Sequence, residues 1–230
     1  GALSALGLPT SLILALIGGI TGAGIGDQLP IAWGTLALVL VAGLAAPAIG
    51  AAVGWVLMRL AARLRLPYEV ADQLGWGHRL AYVLICVAYA TNGGQKMLAI
   101  AAVAIGIAAP TVQADGLVLL VIGGFFALGV VLGLPRLSET LSRGVTLMRP
   151  AQGVAAELAA AIAVFVSTAA GSPVSMTQSL TGALVGSGAS QGYRRIRWRT
   201  ATRLGMAWVV TLPASAGVAA IIAGWLRGGL

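Results

Sequence analysis

Charged residues are scarce in this sequence: Asp, Glu, Lys and Arg make up 9% of its 230 positions, and hydrophobic residues make up 59%. A soluble domain usually carries about 25% charged and roughly 45–50% apolar residues. So few charges cannot solvate the outside of a globular domain, and so many apolar residues do not occur in a disordered chain. The composition excludes both classes and predicts a polytopic α-helical membrane protein.

Residues that commonly perform enzyme chemistry are also few. The chain has one cysteine, Cys86, and one histidine, His78, so no intrachain disulfide and no zinc site of Cys and His ligands can form. The sequence contains neither a nucleophile-elbow motif nor a phosphate-binding Gly-x-x-x-x-Gly-Lys-Ser/Thr loop. We therefore predict that the protein is not an enzyme and that it has no cofactor.

The formal net charge is +8, which in a soluble protein would suggest nucleic acid as a partner. Here the basic residues cluster in the short segments 59–79, 135–150 and 191–203. Segments 26–30 and 110–115 hold one Asp each and no Lys or Arg. This is the positive-inside pattern, which places the basic segments in the cytoplasm and the other two outside. We expect a multi-pass protein of the cell membrane that contacts lipid and no nucleic acid.

Between these segments lie apolar runs that are long enough to cross a hydrocarbon core about 30 Å thick. A further stretch, 153–190, starts and ends on the cytoplasmic side and is broken at Gly171–Pro173. A re-entrant hairpin and two full spans both satisfy its charges, and its short arms favour the hairpin. The predicted spans, which cross in alternating directions, are 31–58, 80–109, 116–134 and 204–226.

Two parts of the chain resemble each other. Pro9–Gly18 and Pro173–Gly182 share Pro, Ser, Leu and Gly at the same spacing, and Ile31–Thr35 shares Ile, Trp and Thr with Ile196–Thr200. The charge pattern gives the two copies opposite orientations, which is the inverted-topology repeat of many secondary transporters. We predict an all-α transmembrane fold with inverted-topology repeats and two re-entrant helical hairpins. The predicted divisions are the end of a first repeat at 1–60, whose beginning would lie upstream, a cytoplasmic loop at 61–79 and a second repeat at 80–230.

The strongest candidate for a functional charge is Lys96, the only lysine, which lies in the middle of the predicted span 80–109. A charge at that depth is costly unless it is paired or faces water, so an anion contact is one explanation and snorkelling to an interface is the other. Asn92 and Gln95 lie within one helical turn of Lys96. Gly93 and its neighbour Gly94 are expected to break the helix and to free backbone groups for a ligand.

A second group of polar residues follows the break at Pro173. Proline favours the first turn of a helix, so Ser175, Thr177 and Gln178 are expected near the start of a half-helix whose N–H groups can bind an oxyanion. Hydrogen bonding of the hydroxyl groups to helix carbonyls is an equally good explanation. In the first copy only Ser11 keeps this polar character. Glu157, within an apolar stretch, is either a proton or cation site or a residue near the inner interface.

Both groups resemble motifs of the inorganic phosphate transporter (PiT) family. Asn92–Lys96 resembles its Gly-Ala-Asn-Asp-Gly-Gln-Lys signature, Ser172–Ser179 resembles its Pro-Val-Ser-Thr-Thr-Gln/His-Ser/Ala signature, and Leu8–Ser11 resembles the first-repeat copy of the latter. Members of the family move inorganic phosphate together with Na⁺ or H⁺. The resemblance implies that Asn92, Ser175 and Thr177 belong to a phosphate and cation site, with Gln95 and Lys96 beside it.

This chain departs from the family pattern at three places. Gly93 replaces the acidic residue of the signature, Met176–Thr177 stands where the second copy has a Thr pair, and Leu12–Ile13 replaces the Thr pair of the first copy. The missing carboxylate would normally be an oxygen ligand for a coupling cation. Two alternatives to phosphate symport therefore stay open: a non-transporting membrane scaffold or subunit, and a permease for another oxyanion such as sulfate. A homo-oligomer is also left open.

Overall fold

The structure, a computed structural model, describes residues 11–63, 71–104, 116–144, 149–169 and 174–228. Within these residues the chain is all helical and contains no strand, as the composition predicts. A single 3₁₀ turn, Tyr193–Arg195, precedes the last helix. The α-helices are α1 (Leu12–Gly26), α2 (Trp33–Arg63), α3 (Ala71–Ala104), α4 (Gly116–Gly144), α5 (Pro150–Ala169), α6 (Met176–Ala189) and α7 (Trp198–Gly228).

Three of these helices, α2, α5 and α7, are long and apolar enough to cross a membrane. They contain 31, 20 and 31 residues, against the roughly 20 that a bilayer core requires. The apolar stretch of α4, Leu119–Gly129, is shorter, and α3 carries polar residues at its centre. The chain is therefore a helical membrane protein. The predicted external segment 110–115 and the predicted break at Gly171–Pro173 lie outside the described residues.

Two helices run further than the sequence predicts. The loop predicted at 61–79 is largely helical, because α2 continues to Arg63 and α3 begins at Ala71. Likewise α4 continues to Gly144 through the segment expected to be a basic loop. Charge marks where a chain leaves the membrane, but the hydrogen bonds of a helix are internal and hold equally well in water. The end of a membrane span is thus not the end of its helix.

The predicted interruption of α3 at Gly93 and Gly94 is wrong, because the helix is continuous through both residues. One Gly costs only about 1 kcal/mol relative to Ala in a helix interior, which packing can offset. The preceding residue, Thr91, has its hydroxyl bonded to the carbonyl oxygens of Val87 and Ala88 inside the helix, 3.0 and 3.1 Å away. No freed backbone group is therefore available at this point of α3.

The helices near the chain's two ends pack in matching pairs, α1 against α7 and α2 against α6. A Cβ atom at Gly182 would collide with the backbone of Pro47, and one at Gly186 with the backbone of Ala51. A step of four residues along α6, from Gly182 to Gly186, corresponds to a step of four residues in the same direction along α2, from Pro47 to Ala51. The two helices are therefore parallel. Their backbones approach closely because glycine has no side chain, as in many membrane helix pairs.

The pair of α1 and α7 is built in the same way. Gly18 meets the backbone at Leu212, and Gly22 meets Ala216. These two helices are therefore also parallel, and near their ends the guanidinium group of Arg227 donates to the carbonyl oxygen of Asp27 at 3.0 Å. Both α2 and α7 have 31 residues, start at a Trp and contain one Pro. Their first residues, Trp33 and Trp198, are the Trp that the sequence comparison matched between the two copies.

The remaining core is made mostly of small side chains of α5 and α6. Helix α5 contacts α2, α3 and α6, and this brings α3 close to the beginning of α6. The alanines of α5 allow this close packing, while larger residues of α7 close the core from another side. The residues at its centre include Ala156, Ala159, Ala160, Ala183, Leu184, Leu204 and Trp208.

Candidate functional site

The backbone carbonyl of Val174 joins the two polar groups that the sequence singled out. Asn92 donates to it through Nδ2 at 3.1 Å, and Lys96 donates to it through Nζ at 2.8 Å. Asn92 and Lys96 lie one turn apart on α3, so both reach the same oxygen. Val174 is buried and stands immediately before the residue that caps α6. Lys96 is thus held inside the protein rather than extended to an interface.

The beginning of α6 lacks a side-chain cap from its own N-cap residue. Ser175 occupies the N-cap position with extended backbone angles, but its side chain makes no capping hydrogen bond. Instead its hydroxyl pairs with the hydroxyl of Thr177, with 3.0 Å between Oγ and Oγ1. The first N–H groups of a helix have no partner within the helix, and they carry its positive dipole end. This helix end therefore has the character of an anion site.

Ser11 behaves differently at the corresponding place on α1. Its Oγ accepts a hydrogen bond from the backbone N–H of Leu14 at 3.3 Å, which is a normal N-cap. Ser11 is fully buried, whereas Leu12 beside it is exposed. The hydroxyl of the first copy is thus engaged within its own helix, and only the second copy combines an uncapped helix end with a nearby ammonium group.

Two further polar side chains of α6 are buried next to this helix end. The Nε2 atom of Gln178 and the Oγ atom of Ser179 have no hydrogen-bond partner among the described residues, and both residues are almost fully buried. Buried donors without a partner are costly, and a bound ligand is one way to satisfy them. Gln95, by contrast, has an exposed side chain and is not brought into the group.

Gly93 marks where the site lacks an acidic side chain. A Cβ atom there would lie 3.3 Å from Cε2 of Phe126 on α4, and the Phe126 ring also packs against Tyr89 with centroids 5.3 Å apart. The sequence has no Asp or Glu between Asp72 and Asp115, and none after Glu157. We call Asn92, Lys96, Val174, Ser175 and Thr177 the candidate site; its one charge is the ammonium group.

A second polar contact, between α3 and α5, involves residues that the sequence did not connect. His78 Nδ1 lies 3.0 Å from Glu157 Oε2, with His78 mostly exposed and Glu157 mostly covered. The sequence separates these residues widely, so only the packing of α5 against α3 could reveal the pair. The contact to the Val174 carbonyl was missed for another reason: a backbone acceptor has no signature in residue types.

Comparisons with known proteins show the family of this chain. A family model described as the phosphate transporter family matches residues 68–219. The chain belongs to the phosphate transporter family. The matched residues include the whole candidate site, from Asn92 to Thr177. The match confirms the resemblance that the two motifs indicated.

Relatives in the family carry names of the same kind. The chain is 31% identical to a protein of Rhizobium meliloti over 94% of the chain and 67% of the relative. It is 32% identical to a protein of Mycobacterium leprae over 94% of the chain and 55% of the relative. Both are named "Probable low-affinity inorganic phosphate transporter". These are names of transporters and not of enzymes.

A fungal relative shows a shorter but closer match. The chain is 42% identical to the phosphate-repressible phosphate permease of Neurospora crassa, over 39% of the chain and 15% of that permease. No solved structure matches the chain. The chain spans about two thirds of the Rhizobium relative and little more than half of the mycobacterial one.

Proposed function

We propose that the protein is a multi-pass secondary transporter of the cell membrane that moves inorganic phosphate by symport with a cation, H⁺ or Na⁺. Family membership and the relatives named as phosphate transporters support the substrate. The observation that carries the proposal is the meeting, at Val174, of a half-buried ammonium group with a helix N-terminus whose N-cap residue makes no side-chain capping bond. Both features attract an oxyanion.

In this proposal phosphate binds at the start of α6. Its oxygens accept hydrogen bonds from the backbone N–H groups of the first turn and from the Lys96 ammonium, and the hydroxyls of Ser175 and Thr177 lie within the same turn. Asn92 binds the Val174 carbonyl and fixes α3 against this turn. Phosphate accepts such charge-assisted hydrogen bonds strongly, which suits an anion that must leave water.

Transport would follow from an inverted repeat with two re-entrant hairpins. Helix α6 has 14 residues, or about 21 Å at 1.5 Å per residue, which is too short for a core of roughly 30 Å. The equivalent packing of α1 on α7 and of α6 on α2 supports two related halves. In folds of this kind the halves move against each other around a site near the midplane, which exposes it to each side in turn.

The contact between His78 and Glu157 supports H⁺ as the coupling ion. It is a contact between two groups that can exchange protons, and it joins α3, which carries Lys96, to α5. A proton that binds or leaves this pair would alter the contact between the two helices that flank the candidate site.

A non-transporting membrane scaffold is the second candidate function. It is favoured by the first copy, where Ser11 is engaged as a normal cap and Leu12 and Ile13 are apolar. A permease for another oxyanion such as sulfate remains an alternative within the transport class. A homo-oligomer is compatible with each of these functions.

Uptake of labelled phosphate by cells that lack their own phosphate uptake tests the proposal. Cells with the full-length protein should take up phosphate, and excess sulfate should not compete. Ser175→Ala should lower the uptake by about tenfold, the effect of losing one hydrogen bond to a charged group. Equal uptake by cells with and without the protein, although it is present in the membrane, would favour the scaffold, and competition by sulfate would favour the other oxyanion.

A further inference from the structure

The Lys96 ammonium occupies a place where a metal cation could otherwise bind. Backbone carbonyl oxygens are common ligands of hard cations. The carbonyl oxygen of Val174 belongs to the residue directly before the N-cap of α6. Lys96 Nζ lies 2.8 Å from it, with Asn92 Nδ2 as a second donor at 3.1 Å. Two donors already bind this oxygen, so it is no longer available to an incoming cation.

Among the residues that the structure describes, no carboxylate lies within ion-pair distance of the Lys96 ammonium. Neither α3 after Asp72 nor any part of the chain after Glu157 contributes an acidic residue. Glu157 itself contacts His78, eighteen positions earlier on α3 than Lys96. Next to Lys96, the position of Gly93 faces the ring of Phe126 rather than a charged group. A charge that is half-buried in this way is costly unless another ion accompanies it.

We propose that Lys96 is a tethered cation of the phosphate site, and this inference rests on the function proposed above. The ammonium group, held by the Val174 carbonyl, neutralises one negative charge of the bound phosphate. It thereby replaces a free metal ion at the N-terminus of α6, and its positive charge repels Na⁺ from that place. Phosphate binding to this protein therefore requires no Na⁺.

Exchange of labelled for unlabelled phosphate across proteoliposomes that contain the full-length protein tests the inference. Equal pH on both sides makes the exchange independent of any proton gradient. The wild-type rate should be the same in Na⁺ and in choline buffer. Lys96→Ala should lower the rate by about tenfold or more, because a charge-assisted contact is lost. Propylammonium, which resembles the removed part of the side chain, should restore part of the rate, since it can bring the charge back.

Two variants serve as controls. Lys96→Met keeps the length of the side chain without the charge, so it should be as slow as Lys96→Ala but should not respond to propylammonium. Thr91→Ala, which removes an exposed hydroxyl bonded only to its own helix, should exchange phosphate at the wild-type rate.

The outcomes separate the two proposals. Wild-type exchange that requires Na⁺, or normal exchange by Lys96→Met, would overturn the tethered cation and leave phosphate transport intact. A slow Lys96→Ala that propylammonium does not restore would also overturn it, because the lysine would then only position α6. No exchange by the wild-type protein, correctly inserted, would contradict the proposed transport function and the inference together.

Discussion

Lys96 and Asn92 both bind a backbone oxygen, and this changes the interpretation of the motif to which they belong. The sequence predicted a lysine that either contacts an anion or reaches to an interface. In the structure it is anchored on Val174, with further ammonium protons left for a ligand. The motif on α3 therefore fixes the start of α6 and supplies the site's charge at the same time.

Gly93 allows the effect of an acidic side chain on this charge to be measured. Gly93→Asp and Gly93→Asn introduce side chains of nearly equal shape, and both must move Phe126 by a few tenths of an ångström. Only Asp brings a carboxylate, three residues before Lys96 on the same helix, where it can pair with the ammonium. We expect the KM for phosphate of Gly93→Asp to exceed that of Gly93→Asn by about fivefold, or roughly 1 kcal/mol.

Kinetics of phosphate uptake at a series of phosphate concentrations would check this prediction. Equal KM values for the two variants would mean that the Lys96 charge does not act on the substrate. Either side chain must displace Phe126, so both variants should lose the same amount of protein from the membrane. Comparing the two variants with each other cancels this packing effect.

Much of the candidate site could be predicted from residue types, and the rest depended on tertiary contacts. Asn92, Lys96, Ser175 and Thr177 were chosen as polar residues in apolar surroundings, and the structure brings them together. Gln95 was chosen by its nearness in sequence to Lys96, but its side chain is exposed. Nearness along a helix does not give a shared face, since consecutive residues point about 100° apart.

The glycines of α1 divide by position into those that pack against α7 and those that do not. Gly18 is in contact with the backbone of α7 at Leu212, while nothing lies within 4 Å of a Cβ atom at Gly19. Gly18→Ala should therefore lower the free energy of unfolding by about 1–3 kcal/mol through overpacking. Gly19→Ala should raise it by up to about 1 kcal/mol, because Ala favours the helix.

Equilibrium unfolding in mixed micelles would measure this pair of adjacent substitutions. If Gly18→Ala were as stable as Gly19→Ala, the close approach of α1 to α7 would be refuted.

Helix continuity was harder to predict from the glycines than helix packing. Glycine lowers helix propensity equally at Gly94 and at Gly186. Nothing lies within 4 Å of a Cβ atom placed at Gly94, whereas Gly186 packs against α2. Composition alone therefore cannot distinguish a glycine that breaks a helix from one that packs against another helix.

The directions of the helices agree with the distribution of charge along the chain. Because α2 is parallel to α6, the end of α2 at Arg63 and the end of α6 at Ala189 lie on the same side. Because α1 is parallel to α7, Asp27 and Arg227 lie together at the other ends of these helices. Positive-inside reasoning places the first of these ends in the cytoplasm and the second outside, and this orientation stays a prediction. The pairing of α1 with α7 could not be predicted, because small residues fit many partners.

Cysteine labelling in intact cells would test this orientation. In a protein with Cys86→Ser, Leu29→Cys should react with a membrane-impermeant maleimide added outside, since Leu29 is exposed in the segment after α1. Tyr193→Cys, exposed between α6 and α7, should react only after the cells are opened. Reaction of both from outside, or of Tyr193→Cys alone, would contradict the predicted orientation.

Transport of phosphate against its own gradient is the claim on which the other proposals depend. The most direct test is uptake of labelled phosphate by proteoliposomes of the full-length protein, with an H⁺ gradient and an Na⁺ gradient imposed in separate samples. We expect accumulation driven by the H⁺ gradient and no additional accumulation with the Na⁺ gradient. The absence of accumulation under both gradients, with the protein folded and inserted, would contradict the account.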